Sequence, residues 1–180
     1  TATIPSPGIH MVMNSLCAAA VGLTLGIEPE LIKQGIESYA PVEGRMQIIK
    51  TQRLTLLDDS FNANPTSMAA AINIACRASG RTVLILGDML ELGEKGAEYH
   101  RDMGKKAVEC GADMMIAKGP LMKNACEETE RAGIETMHFD TSEDIMRALD
   151  NCLRDGDTVL VKASHGTNLK DVAEYIKANF

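Results

Sequence analysis

The residues best equipped for chemistry fall together in DDSFNANPTSM, residues 58 to 68, directly after the apolar run Leu54 to Leu57. Acids, asparagines, a proline and hydroxyls crowd one strand-to-helix corner. Asn64 reads as an N-cap and Pro65 as the first helical residue, where a missing N–H is harmless. A helix start offers backbone N–H groups and a favourable dipole, which can hold a carboxylate or a phosphate. Asn62, Thr66 and Ser67 add donors and acceptors beside it. Capping accounts for Asn64 and Pro65 but not for Asn62. Asp58 and Asp59 are poorly placed to act as a carboxylate pair, because neighbours on an extended strand point to opposite faces. One of them is expected to face the ligand side, the plainer alternative being a single turn former or cap.

Two further polar stretches follow strand-like runs: GDMLELG at 87–93 and KASHGTN at 162–168. In the first, Gly87 and Gly93 bracket a tight excursion, and capping by Asp88 and Glu91 is favoured over binding of a partner. In the second, His165 lies in a glycine-containing loop, a better functional candidate than His138 in ETMHF, which reads as strand. His10, His100, His138 and His165 never fall at metal-ligand spacing, so no metal site is expected. The chain contains neither GxxxxGK[ST] nor a GxGxxG after a strand, the usual cradles for nucleotide phosphates.

Strand-like runs are placed at 46–49, 53–58, 82–87, 112–117, 135–139 and 157–162, most of them continuously apolar as in strands buried on both faces. Helical patterns fall at 65–78, 95–110, 120–132, 142–153 and 167–178. This alternation predicts an α/β fold: a Rossmann-like, mostly parallel sheet with helices on both faces. Ligands of such sheets gather at the carboxyl ends of strands, where the three polar corners could share one edge. Before the sheet, residues 10–25 and 29–38 read as a helical hairpin, with Gly26 ending its first helix and Pro29 opening its second. A linker is expected from Ala40 to Gly44.

Composition narrows the classes. Aromatic residues make up only 3% of the chain and Trp is absent, so aliphatic residues and the eleven methionines must fill the core. A net charge of -7 disfavours nucleic acid and anionic membranes as partners. The apolar stretch Leu16 to Leu25 is too short to span a bilayer. Five widely spaced cysteines suggest neither a disulfide framework nor a CxxC site, so the cytoplasm is the expected compartment. The opening on Thr1, in mid-pattern, leads to the expectation of a fragment.

GIHMVMNSLCAAAVGLTLGI (8–27), GRMQ (44–47), LLDDSFNANPTSM (56–68), GDMLELG (87–93) with His100 after it, and VLVKAS (159–164) together resemble the Mur ligase family, in order and over nearly the whole chain. The closest likeness is to members that join D-alanyl-D-alanine to UDP-N-acetylmuramoyl-tripeptide in peptidoglycan synthesis. The resemblance implies that residues 1–43 are the helical tail of a central ATPase domain and 44–180 a Rossmann-like C-terminal domain. It implies ATP and Mg2+ as cofactors, held mostly by the central domain, and those two substrates as partners, with no catalytic residue of its own in this stretch. By resemblance Asn14 lies near the adenine, Arg45 at the nucleotide phosphates and Asp59 at the ribose. Asn62, Asn64 and Ser67 fall where the incoming dipeptide is met, with Lys162 and Ser164 on the same edge. Met11 replaces a common asparagine, Phe61 a common tyrosine, and SHGTN departs from the usual stretch there. Rival readings are another Mur-type or folate-type ligase domain, a freestanding Rossmann nucleotide-binding module and a non-enzymatic interaction module.

Overall fold

The computed structural model describes residues 1–40 and 42–180. Pro41, in the expected linker, lies outside the described residues. The chain divides into two compact units, Thr1–Val42 and Glu43–Phe180.

The smaller unit is a helical hairpin of α1 (Ile9–Thr24) and α2 (Pro29–Glu37). Pro29 occupies the first turn of α2, and Gly26 takes φ 75 beyond the end of α1. None of the α2 residues is buried, and Leu16, Val21, Leu23 and Leu25 of the first helix and its exit are exposed.

The larger unit is built on six strands: β1 (Gln47–Lys50), β2 (Thr55–Asp59), β3 (Thr82–Gly87), β4 (Met114–Lys118), β5 (Glu135–Phe139) and β6 (Thr158–Lys162). Their order across the sheet is β1-β2-β6-β3-β4-β5, with β1 antiparallel and the rest parallel. α3 (Pro65–Ala75), α4 (Gly96–Cys110) and α5 (Lys123–Arg131) cover one face. α6 (Ser142–Cys152) and α7 (Lys170–Asn179) cover the other. The continuous apolar runs are explained by this double cover: every residue of β3 and β6 is buried. Alternate residues feed the two cores, so Leu57 packs under α3 while Leu56 packs under α7. Each such side chain contributes about 2 kcal/mol by leaving water.

Placing a strand end at Asp59 rather than 58, and the last helix at Lys170 rather than 167, are small departures from the sequence reading. In the second case the intervening His165–Thr167 forms a 3-10 turn. The chain winds in opposite directions after β3 and β6, and at such a switch point an open crevice usually receives the ligand. Here the crevice is filled. A Cβ on Gly87 would come within 2.7 Å of Ala163 Cβ and 3.1 Å of Leu169 Cδ1, so the two loops pack backbone against side chain. That closure disfavours a freestanding dinucleotide module and leaves the neighbouring β2–β6 edge as the place where polar groups reach solvent.

Candidate functional site

The parallel pairing of β2 with β6 sets Asp59 opposite Lys162, so both side chains leave the sheet on the α3 face. Lys162 Nζ donates to Asp59 Oδ2 at 2.6 Å and to the Asn62 carbonyl at 2.9 Å. The other Asp59 oxygen, Oδ1, accepts from the Met46 amide at 3.0 Å. Burial pushes the Asp59 carboxyl up from its ordinary value, and Lys162 and the Met46 N–H pull against that shift. Asp58 takes the opposite face. Its Oδ1 accepts from the Ser60 hydroxyl at 2.6 Å and amide at 3.2 Å, and Lys177 Nζ lies 2.8 Å from Oδ2. That ammonium is off the hydrogen-bonding direction, so Oδ2 has charge compensation without an aligned donor. The two acids are therefore separated by the sheet, as strand geometry requires.

Gly44 to Met46 form a short strap across this corner. Phe61 N donates to Gly44 O at 2.9 Å, and Gly44 takes φ 70. At Gly44 a side chain would be both strained and within 3.3 Å of Ser60 and Phe61. The strap turns the Met46 side chain into the core and leaves Arg45 outside, its Cζ 4.3 Å from the centre of the Phe61 ring. Among the described residues Arg45 pairs with no carboxylate. The His165 ring lies 5.9 Å from that of Phe61, extending the exposed row to the β6–α7 loop. That loop is held from beneath by Lys118, whose Nζ donates to Ser142 Oγ at 2.8 Å and Thr167 O at 2.6 Å.

At the start of α3 the Asn64 side chain accepts from Ser67 N at 2.8 Å, and Ser67 Oγ accepts from Asn64 N at 3.1 Å. This reciprocal capping box uses two of the groups expected to meet a ligand. Pro65 has no N–H, so Thr66 carries the first-turn amide that the box leaves unengaged. Asn62 is exposed, and Asn64 and Ser67 are at the surface beside it.

Lys162 and Ser164 sit beneath the edge rather than on it, at 1% and 5% exposure. Ser164 Oγ accepts from Leu90 N at 3.0 Å and reaches Ala63 O at 3.3 Å, and its amide donates to Asp88 O at 3.1 Å. Ser164 thus joins all three polar corners. Arg45, Asp59, Asn62, Asn64, Ser67, Lys162 and Ser164 gather at one end of β2 and β6, whereas Asn14 belongs to the other unit. On α1, Asn14 is exposed, with Nδ2 3.9 Å from the sulfur of Met11. The sequence reading missed the strap and its Met46 amide. The signal was present in the Gly44-Arg45-Met46 triplet, but a backbone bond to Asp59 has no side-chain signature.

Such a sheet, with a polar edge at its strand ends and a closed switch point, defines a Rossmann-like α/β domain. Residues 44–165 match the family model described as Mur ligase, glutamate ligase domain, and the chain belongs to the Mur ligase family. It is 33% identical over 178 residues to the UDP-N-acetylmuramoyl-tripeptide--D-alanyl-D-alanine ligase of Bacillus subtilis, covering 95% of this chain and 38% of that protein. The same-named ligase of Escherichia coli is 31% identical, with 98% of this chain and 39% of the relative covered. The chain therefore spans under two fifths of those relatives. Among solved structures, MurF from Acinetobacter baumannii superposes with a TM-score of 0.89 at 27% identity, over 99% of this chain and 40% of that one. A MurF ligase from Thermotoga maritima in complex with ADP gives 0.73 at 25% identity, over 88% of this chain and 36% of that one.

Proposed function

We propose that the protein carrying this chain is an ATP-dependent ligase of the cytoplasm that joins D-alanyl-D-alanine to UDP-N-acetylmuramoyl-tripeptide during peptidoglycan precursor synthesis. The observation that carries this reading is the 33% identity, along 95% of the chain, to a ligase of that name. In this reading residues 1–43 are the tail of a central ATPase domain and 44–180 the C-terminal domain.

The residues present fit one side of the nucleotide. Arg45 is exposed, without a carboxylate partner among the described residues, and its planar guanidinium suits a phosphate. ATP with Mg2+ would supply the phosphoryl group that activates the tripeptide carboxylate, with ADP leaving, and the triphosphate and metal would be held mainly by a phosphate loop that this chain does not contain. Asp59 stands beside Arg45 in the same unit, and Asn14, in the other unit, keeps the adenine role that the resemblance implies. Asn62, Asn64, Ser67 and the Thr66 amide make the acceptor side, where a small zwitterion with two methyl groups must be held chiefly by hydrogen bonds. Lys162 and Ser164 support that side from below. The domain's contribution is orientation and charge stabilisation of an attacking amine.

The test is ATP-dependent ligation by the enzyme carrying this chain, followed by mass spectrometry of the nucleotide product. Addition of D-alanyl-D-alanine to the tripeptide supports the reading, and addition of a single amino acid or of glutamate to folate overturns it in favour of a sister ligase. The 180-residue chain alone should fold and should not hydrolyse ATP, because phosphoryl transfer depends on the absent phosphate cradle. ATP turnover by the purified chain would contradict this.

A further inference from the structure

We propose that Asp59 is a positioning residue for Arg45: clamped by Lys162, its carboxylate holds the Met46 amide and through it the Gly44–Met46 strap. The inference rests on the proposed role of Arg45 at the nucleotide phosphates, and it assigns Asp59 a task other than direct contact with ribose.

The strap is a backbone arrangement that does not stand by itself. The residues on both sides of Arg45 are left-handed, Gly44 at φ 70 and Met46 at φ 48. For Met46, with a Cβ, this conformation is unfavourable and persists only when its surroundings over-determine it. Three contacts do so. Phe61 N holds Gly44 O at 2.9 Å, Asp59 Oδ1 holds Met46 N at 3.0 Å, and the Met46 side chain is buried at 7% exposure. Between these pins Arg45 has one direction in which to leave the surface, and it lies over Phe61, a residue of the same corner. Arg45 is thus fixed at its backbone to the larger unit, and only its side chain is free to reorient toward an anion.

Asp59 is the adjustable member of the three. Its Oδ2 is held at 2.6 Å by Lys162, whose side chain is 2% exposed and whose position is set by the β2–β6 register. Both carboxylate oxygens therefore serve the protein, one toward the strap and one toward the sheet. A residue that merely touched ribose would matter only when the ribose hydroxyls are present. A residue acting through Arg45 matters for any nucleotide triphosphate, and stops mattering once Arg45 is gone.

The experiment compares wild type, Asp59→Asn, Asp59→Ala, Arg45→Ala and the Asp59→Ala/Arg45→Ala double variant of the ligase, using ATP and an ATP analogue lacking both ribose hydroxyls. Asp59→Ala is expected to lower kcat about tenfold to a hundredfold with both nucleotides. In the Arg45→Ala background the same change should matter less than about twofold, the non-additivity of residues acting as a unit. Asp59→Asn keeps an acceptor for Met46 N but turns an NH2 toward the Lys162 ammonium, so it should recover part of the loss, and Asp59→Asn/Lys162→Met, without that clash, should recover more. A deficit confined to ATP, or full additivity with Arg45→Ala, overturns the proposal.

A second readout needs no activity. By NMR of the 180-residue chain, the Met46 amide should exchange slowly in wild type and Asp59→Asn and fast in Asp59→Ala. The Arg45 Nε–H shift caused by the Phe61 ring should disappear in Asp59→Ala, and an unchanged spectrum overturns the proposal. Should Asp59→Ala fail to fold because Lys162 is left unpaired, Asp59→Ala/Lys162→Met removes both charges and is read in the same way. Failure of the ligase assay in wild type would sink the functional reading while leaving this NMR test intact.

Discussion

Two corners of the larger unit have similar chemistry in sequence and opposite uses of it in space. DDSFNANPTSM follows β2 and GDMLELG follows β3, and each offers two acids and a glycine or proline at the end of a buried strand. At the second corner the polar groups are turned inward. Asp88 is 3% exposed, and its carboxylate accepts from Leu121 N at 3.2 Å and Met122 N at 2.8 Å, capping the chain that leads into α5. Met89 N donates to His100 Nε2 at 2.9 Å, and His100 Nδ1 donates to Gly96 O at 2.6 Å, which fixes the tautomer of a fully buried ring. At the first corner the inward bonds go through Asp58, Asp59 and Lys162, while Asn62, Thr66 and Arg45 still face solvent. Density of polar residues therefore marks a corner that must be organised. Which groups remain after the internal partners are counted tells whether it can also bind.

The largest effect expected from this contrast is structural. Asp88→Ala removes a buried carboxylate that satisfies two buried-side amides, and hydrogen bonds to a charged group are each worth about 1.5–3 kcal/mol. The loss should be about 3 kcal/mol or more, visible as a much lower urea midpoint, with the remaining folded enzyme keeping its Michaelis constants. A variant of near-wild-type stability with impaired substrate binding would move Asp88 from scaffold to site and erase the distinction between the corners.

Asn62→Ala probes the same contrast from the other side. Its side chain is exposed, and its backbone carbonyl accepts from Lys162. Stability should change by less than about 0.5 kcal/mol, as for an ordinary surface substitution. If the amide holds the dipeptide carboxylate, the Michaelis constant for D-alanyl-D-alanine should rise roughly 10- to 100-fold with ATP affinity little changed. Normal dipeptide binding with weakened ATP binding would show that this corner serves the nucleotide.

Much of this architecture was legible because it is local or periodic. Apolar runs marked most of the parallel strands, Asn64-Pro65 marked the start of α3, and strand alternation already separated Asp58 from Asp59. The site was legible only as a set of residues. Strand order, which places Lys162 beside Asp59, depends on a crossover that no local pattern encodes. Side-chain identity also misplaced depth: Lys162 and Ser164 look like edge residues in sequence, yet the β6 backbone carries them below the surface. Ser67 and Asn64 look like ligand groups and mainly satisfy one another. In each case the missing information was a partner more than twenty residues away or a competing backbone bond.

A smaller effect separates Asp58, which belongs to the first corner by sequence, from the ligand-facing groups around it. Burial alone would lower the Lys177 pKa, but the Asp58 and Glu174 carboxylates beside its ammonium outweigh that and hold it above its ordinary 10.5. A base raised in the folded state stabilises the fold fully below its unfolded pKa and loses that contribution as pH rises through the folded value. Thermal stability should therefore carry an alkaline fall beginning near pH 10.5. Lys177→Arg, which stays protonated through that range, should retain more stability above it than wild type does. Melting temperatures at about pH 9 to 12 would decide this, and equal alkaline slopes in the two proteins would mean that the Lys177 pairings contribute nothing measurable.

The smallest expected effect bears most directly on where the first corner stops being scaffold. Ser67→Ala removes the hydroxyl that accepts from Asn64 N at 3.1 Å while leaving Asn64 Oδ1 to accept from Ser67 N at 2.8 Å. Half of the capping box survives, so the cost should fall in the lower part of the range for cap removal, about 0.5–1 kcal/mol. If capping is the whole of its work, the Michaelis constant for the dipeptide should stay within about threefold of wild type, because a change of that size in affinity corresponds to less than one ordinary hydrogen bond. The Asn62 and Ser67 variants would then divide the corner cleanly, one altering binding without stability and the other stability without binding. A Ser67→Ala enzyme with unchanged melting temperature and a Michaelis constant raised tenfold would place the hydroxyl on the substrate. Capping would then be the arrangement of the free protein, exchanged for the dipeptide when it binds.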